Sequence, residues 1–293
     1  MPDNKSNLIA TGLSGMIGSR FEELYGHKYN FTNLDLSTGV DITNKKQVTE
    51  AVGKAAGDII LHLAGFTNVD EANKQQSDKT GSCWLVNVVG TQNIAEAAKK
   101  HNKYLIHAST DFVFSGEKKT PYTEGDPTDP IEWYGATKAE AEKVIHATYD
   151  NWAILRLSFP FRAHYRPKQD LVRKIIDGLT RDNLPPMFTD HIITPTFVDD
   201  LCKVFFMFTL KRPKGIFHAT GSSAVSDFEL ATTIKKTFDL PGKIKQASLE
   251  EFLKTAKRPY QKRLHLSNAK LQEELGNPML TVESALQIMK TQL

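Results

Sequence analysis

Residues 8–18 read LIATGLSGMIG, an apolar run followed by Gly12, Gly15 and Gly18 in a GxxGxxG spacing. An apolar run of this length, broken by glycines and followed by a helical pattern from about Gly15, reads as strand, tight turn and helix N-terminus. Glycine lets the backbone come close to a phosphate, and a helix start offers N–H groups and partial positive charge. A glycine triplet alone is common in turns; its place at the head of an alternating chain makes this one a phosphate loop. Met16 and Ile17 open the helix and complete the loop.

The alternation continues outward. Tyr29–Asp35 reads as a strand, Lys45–Ala56 as a helix, Asp58–Ala64 as a strand, Leu85–His101 as a helix, Tyr104–Ala108 as a strand, Tyr134–Tyr149 as a helix and Trp152–Leu157 as a strand. Such alternation predicts βαβ units in a doubly wound parallel sheet. A loop rich in Gly, Pro, Asp and Thr fills the stretch between Thr110 and Trp133, too long for a plain connector and therefore functional. After Ser158 the alternation breaks. Residues 1–158 are expected to form the dinucleotide-binding domain, with a return segment around 189–210, and 159–293 a smaller substrate-facing lobe holding two helices and irregular stretches.

The strand ends carry the candidate chemistry. Asp35 lies 20 residues after Gly15, where a carboxylate accepts hydrogen bonds from the adenosine ribose and repels a 2′-phosphate, so NAD(H) is expected ahead of NADP(H). Asp41 and Ile42 are placed beside the adenine, and Leu63 and Ala64, closing the third strand, join the cofactor set. Tyr134 and Lys138 stand four residues apart on one helix face in YGATK. An ammonium beside a phenol stabilises the phenolate and makes tyrosine a usable proton donor. Thr110, ending the strand YLIHAST, offers a hydroxyl to hold a carbonyl oxygen, with Ser109 as its rival; His107, mid-strand, reads as a satisfied core histidine.

Composition sets bounds on function. The chain has 293 residues and a net charge of +3, which argues against general nucleic-acid binding. The charge is uneven: 16 Lys and Arg face 20 Asp and Glu in residues 1–159, against 21 and 14 in 160–293. A basic second half suits a diphosphate, with Arg162 and Arg258 as planar donors. Cys83 and Cys202 show no metal or disulfide spacing and read as small buried hydrophobes, and no protein metal site is indicated. With neither a secretory signal nor a long uncharged apolar stretch, the expectation is a cytoplasmic protein without membrane or nucleic-acid partners.

The stretch HASTDFVFSGEKKTPYTEGDPTDPIEWYGATKAEAEKVI resembles the signature region of the dTDP-4-dehydrorhamnose reductase family, a branch of the extended short-chain dehydrogenases/reductases. The likeness extends to HLAGFTNVDEAN, VNVVGTQNIAEAA, FTDHIITPTFVDDL and KRPYQKRLHLSNAKL, nearly the whole chain. It implies a Rossmann-like fold with a smaller C-terminal substrate-binding lobe and Thr110, Tyr134 and Lys138 as the catalytic triad, Lys138 also holding the nicotinamide ribose. It implies support from Asn87, Val69 and Asp70 near the sugar, Arg258 near the nucleotide, and a substrate set that includes Asp111 and Phe159. The implied reaction is reduction of the 4-keto group of a nucleotide-linked deoxysugar, with a homodimer as the candidate assembly. Phe159 stands where the family usually has tryptophan, which bears on sugar specificity; Phe112 and Ser115 replace the usual tyrosine and aspartate. The rival readings are a 4-epimerase that recycles its cofactor, a dehydratase in third place, and a non-catalytic NAD(P)-binding regulatory subunit.

Overall fold

The computed structural model describes residues 5–293. In chain order its elements are β1 (Ser6–Thr11), α1 (Met16–Tyr25), β2 (Tyr29–Asn33), α2 (Lys45–Lys54), β3 (Ile59–His62), α3 (Val69–Asn73), α4 (Ser82–Trp84), α5 (Thr91–Lys100), β4 (Tyr104–Thr110), α6 (Trp133–Thr148) and β5 (Trp152–Leu157). There follow β6 (Pro160–Phe161), α7 (Leu171–Thr180), β7 (Met187–Phe188), β8 (Ile192–Ile193), β9 (Thr196–Phe197), α8 (Val198–Lys211), β10 (Gly215–His218) and β11 (Val225–Ser226). The last are α9 (Asp227–Phe238), β12 (Gln246–Ala247), α10 (Leu249–Leu253), α11 (Ala269–Leu275) and α12 (Val282–Gln292).

Packing divides the chain into two units. The first runs to Val113 and adds Thr128–Arg156 and Cys202–Phe217; the second comprises Phe114–Pro127, Leu157–Leu201 and His218–Leu293. Cys202–Phe217 overlaps the expected return segment from Cys202 to Leu210 and carries it on into β10. The long loop after Thr110 is shared: its Asp111–Val113 turn belongs to the first unit, and Phe114–Pro127 to the second, where Tyr122 bridges to Leu266.

In the first unit six strands form one sheet in the order β10-β5-β4-β3-β1-β2, with β1 parallel to β2 and β3, and β3 parallel to β4. The chain winds to one side of β1 and then returns to the other, so the order reverses between β1 and β3. Ligands of open α/β sheets bind beyond the strand C-termini at such a switch. β3 and β5 are buried along their whole length, as strands covered on both faces must be. Ile9, Ile60, Leu105 and Ile154 pack with Val48, Val52, Ile94 and Ile145 in one core.

Two expectations for this unit need correction. β2 stops at Asn33 rather than Asp35, because Asp35 instead opens a short 3-10 turn, Leu36–Thr38, in a reciprocal cap with Thr38. The expected helix from Leu85 starts as a π-helical stretch, Leu85–Gly90, before turning regular at Thr91.

The second unit has its own core of Phe161, Val172, Ile175, Leu179, Ile193, Phe197, Leu230, Ile234, Leu286 and Met289. It is more helical than expected, since α7 and α9 to α12 all form where two helices were read. Several carry legible caps: Ser226 and Glu229 cap α9 reciprocally, and Thr281 caps α12.

Candidate active site

Strand pleat and helix register place the candidate groups. On β4, alternation sends His107 and Ser109 to one face and Ala108 and Thr110 to the other. Ser109 Oγ donates to Glu142 Oε1 of α6 at 2.5 Å, and Arg156 holds the same carboxylate through Nε at 3.0 Å and Nη2 at 2.7 Å. Ser109 is thereby tied into a buried ion-pair network, so the rival for the hydroxyl role is a structural residue. Thr110, at the strand end, donates from Oγ1 to Asp111 Oδ1 at 2.9 Å and accepts from the Phe112 N–H at 3.3 Å.

Tyr134 and Lys138 lie on the first turns of α6, whose start is fixed by Glu132: its carboxylate accepts from the Tyr134 N–H at 2.8 Å and the Gly135 N–H at 2.5 Å. Gly135 has a second purpose. A Cβ built there would stand 2.1 Å from Phe112 O, so only glycine admits the backbone after Thr110 this close to α6. The approach puts the Phe112 ring edge-on to Tyr134 at 5.8 Å between centroids and brings the end of β4 that bears Thr110 close to the start of α6.

Burial pushes the Tyr134 phenol well above its ordinary pKa, opposed by the Thr110 hydrogen bond and reinforced by Asp111, Glu132 and Cys83. The phenol is therefore held protonated, as a proton donor must be. No hydrogen bond joins it to Lys138, contrary to the expected phenol–ammonium contact. Lys138 Nζ instead donates to Ala108 O at 2.7 Å and His107 Nε2 at 3.0 Å. Burial lowers the Lys138 ammonium to about 8, against opposing contributions from Glu142 and Cys83. His107 is only half satisfied, since its Nδ1 has no partner among the described residues.

Asn87 sits in the π-helical stretch, a distortion frequent at functional sites. Its amide accepts from the Phe66 N–H at 2.8 Å and donates to Phe66 O at 3.1 Å and Thr137 Oγ1 at 3.0 Å, joining the post-β3 segment to α6. Cys83 is buried beside Thr137 and Cys202 is buried as well.

The phosphate loop fits a dinucleotide. Gly12 has a φ of +69°, and a Cβ there would meet Ala64 N at 2.5 Å; at Gly18 it would meet Gly12 O at 2.5 Å. Loop, Leu63–Ala64 and helix start pack with bare backbone, and no side chain caps α1 at Gly15. Met16 and Ile17 follow in the first turn. Asp35 accepts from the Gly12 N–H and, more loosely, from Ser14 N at 3.4 Å and Ser14 Oγ at 3.3 Å, fixing a negative charge against the loop. Arg20 is ion-paired with Glu23 at 2.9 Å. Asp41 accepts from Thr43 N and Oγ1 at 2.9 and 2.8 Å, while Ile42 is buried in the core and Asn44 caps α2.

Among the expected substrate residues, Val69 and Asp70 open α3 behind its cap Asn68. In the second unit Phe159 adopts a left-handed φ of +39° with its ring edge-on to His191 at 5.9 Å, a conformation of the strained kind that clusters at ligand sites. Arg162 is buried, its N–H on Asp170 and its guanidinium 5.9 Å from the Tyr165 ring. Arg258 stacks on Tyr260 at 3.7 Å. Among the described residues no cluster of His, Cys, Asp and Glu has metal-binding arrangement, and no helix is long and apolar enough to cross a membrane.

A family model described as the RmlD substrate binding domain matches residues 6–293. The dTDP-4-dehydrorhamnose reductase of Aggregatibacter actinomycetemcomitans is 30% identical over 285 residues, covering 92% of this chain and 94% of that one. That of Sinorhizobium fredii is 33% identical over 248 residues, 80% of each. The crystal structure of dTDP-4-dehydrorhamnose reductase from Bacillus anthracis in complex with NADP superposes with a TM-score of 0.90 at 26% identity, over 99% of this chain and all of the other. The chain belongs to the RmlD substrate-binding-domain family, that of the dTDP-4-dehydrorhamnose reductases.

Proposed function

We propose that the protein reduces the 4-keto group of a nucleotide-linked deoxysugar with a nicotinamide cofactor, as a dTDP-4-dehydrorhamnose reductase. The observation that carries this reading is the close approach of the β4 end bearing Thr110 to the start of α6, which buries the protonated Tyr134 phenol and, one turn on, the Lys138 ammonium. Gly12, Gly15, Met16, Ile17 and Gly18 would hold the pyrophosphate, Asp35 the adenosine ribose, Asp41 and Ile42 the adenine edge, and Leu63, Ala64 and Lys138 the nicotinamide half. When bound, the cofactor supplies a hydride to the keto carbon.

The chain's own residues manage the proton. Tyr134 gives its phenolic proton to the carbonyl oxygen as that oxygen gains the electron pair of the C=O bond. Thr110 holds the same oxygen once its hydroxyl turns from Asp111 toward it. The Lys138 ammonium stabilises the phenolate that remains, a role that needs its charge. Val69, Asp70, Asp111 and Phe159 are assigned to the sugar, and Arg162 and Arg258 to the diphosphate. NADH is the favoured cofactor, because the Asp35 charge fixed at the loop opposes a 2′-phosphate.

Purified protein mixed with NADH and dTDP-4-dehydro-6-deoxy-L-mannose should oxidise one NADH per sugar and form a 4-hydroxyl. An epimerase would change the sugar without net loss of NADH absorbance. A regulatory subunit would bind cofactor and change neither.

A further inference from the structure

Four residues form a buried polar row beneath the proposed site. Thr11 of β1, His62 of β3 and His107 of β4 are paired across adjacent strands, and the row ends on Lys138 of α6. All four are buried, the first three completely. The hydrogen bonds fix the protons. An ammonium only donates, so His107 Nε2 accepts from Lys138 and the ring proton sits on Nδ1. Thr11 Oγ1 accepts from the Ala64 N–H at 3.1 Å, leaving its own proton for His62 Nδ1 at 2.6 Å; His62 then donates from Nε2 to Thr91 Oγ1 at 3.1 Å. The two rings lie 5.0 Å apart between centroids. Burial and the nearby ammonium keep both imidazoles neutral, His62 falling to about 3 and His107 well below its ordinary value.

We propose that His107 is a positioning residue for Lys138. Its neutral ring and the Ala108 carbonyl pin the ammonium, and the row through His62 and Thr11 ties that point to the strand end bearing the phosphate loop. The inference rests on the reading of Lys138 as a member of the catalytic triad. The other ionisable groups facing Lys138 are Glu142 on its own helix, Cys83 on α4 and His62 on β3. Glu142 is already engaged by Arg156 and Ser109, so the direct partners of the ammonium are Ala108 O and His107. Removing the ring acceptor disfavours the charged form of Lys138, while an acceptor restored at the Nε2 position rescues it.

The test titrates Lys138 in the cofactor-free full chain, by NMR of labelled lysine side chains, with Lys138→Arg identifying the signal. Wild type, His107→Leu, His107→Gln and His107→Asn are compared. The Gln carbonyl oxygen reaches the place of Nε2, whereas Asn reaches only that of Nδ1. The Leu and Asn variants should titrate lower than wild type by about one pH unit or more, and Gln close to wild type. The alkaline limb of kcat/KM for sugar reduction should move the same way, with weaker NADH binding in the Leu and Asn variants. A wild-type midpoint in folded His107→Leu overturns the proposal. Should Leu fail to fold, equal midpoints for Gln and Asn do so. Because the titration needs neither substrate nor cofactor, failure of the wild type to reduce any 4-keto sugar would count against the proposed function alone.

Discussion

Gly135→Ala sets two effects of opposite sign against each other. In a helix, alanine is favoured over glycine by about 1 kcal/mol. At Gly135, however, the added Cβ would lie 2.1 Å from Phe112 O and 2.9 Å from Phe112 C, both backbone atoms that cannot rotate away. Ordinary carbon contacts need about 3.5 Å, so the segment after Thr110 must retreat from α6 by about 1 Å. Overpacking of this kind costs about 1–3 kcal/mol, which outweighs the helix gain. The catalytic effect is larger, because a displacement of about 1 Å between Thr110 and Tyr134 should lower kcat/KM about 10²-fold. Gly53→Ala in α2 is the matched control: the nearest atoms to its Cβ belong to the His101 ring, at 2.9 Å, and that side chain can turn. Urea denaturation should show Gly135→Ala less stable than wild type and Gly53→Ala within about 0.5 kcal/mol of it. Steady-state kinetics should show the activity loss only in the first. Wild-type stability and turnover in Gly135→Ala would refute the claim that this glycine sets the site's geometry.

Other perturbations separate the roles. Tyr134→Phe should lower kcat about 10²-fold or more with cofactor Kd little changed, measured by turnover and by fluorescence titration. Lys138 titrates at about 8 when folded and near 10.5 when unfolded, so burying its charge costs folding about 3 kcal/mol below pH 8, a penalty relieved as pH rises from about 8 through 10.5. Lys138→Met should therefore be more stable than wild type at pH 7 by denaturation while losing both turnover and cofactor affinity. The ratio of kcat/KM for NADH to that for NADPH should exceed one, and Asp35→Ala should reduce it; a wild-type preference for NADPH would contradict the placement of Asp35. Arg258→Ala should raise KM for the sugar nucleotide more than for the cofactor, with equal effects marking the residue as structural.

The parallel sheet was legible because strands covered on both faces carry apolar runs, and because the glycines around Gly12 stand between a strand and a helix at the head of the alternation. Helix spacing and strand end singled out Tyr134, Lys138 and Thr110, which the fold sets on the first turns of α6 and the end of β4. What periodicity could not show is where a polar side chain turns once buried. Lys138 looks toward Tyr134 from its spacing, yet it turns to Ala108 and His107 on the strand beneath. Ser109 and Thr110 are adjacent and chemically alike in sequence, and only the pleat assigns one to Glu142 and the other to Asp111 on the opposite face. Asp35 lost its strand to a local cap with Thr38, a competition typical of short polar side chains. The second unit holds more helices than the two expected, although caps such as the Ser226–Glu229 box were visible in the sequence.

A reductase leaves the cofactor's hydride on the sugar carbon, where an isotope label can follow it. Purified protein should be incubated with NADH deuterated at C4, in each stereoisomer, and dTDP-4-dehydro-6-deoxy-L-mannose, and the released sugar nucleotide read by mass spectrometry and NMR. One stereoisomer should place deuterium on sugar C4 beside a new hydroxyl, with one NADH oxidised per label transferred. Absence of label and of NADH oxidation, in protein that binds NADH and across dTDP-, UDP- and GDP-linked 4-keto sugars, would contradict the proposed function.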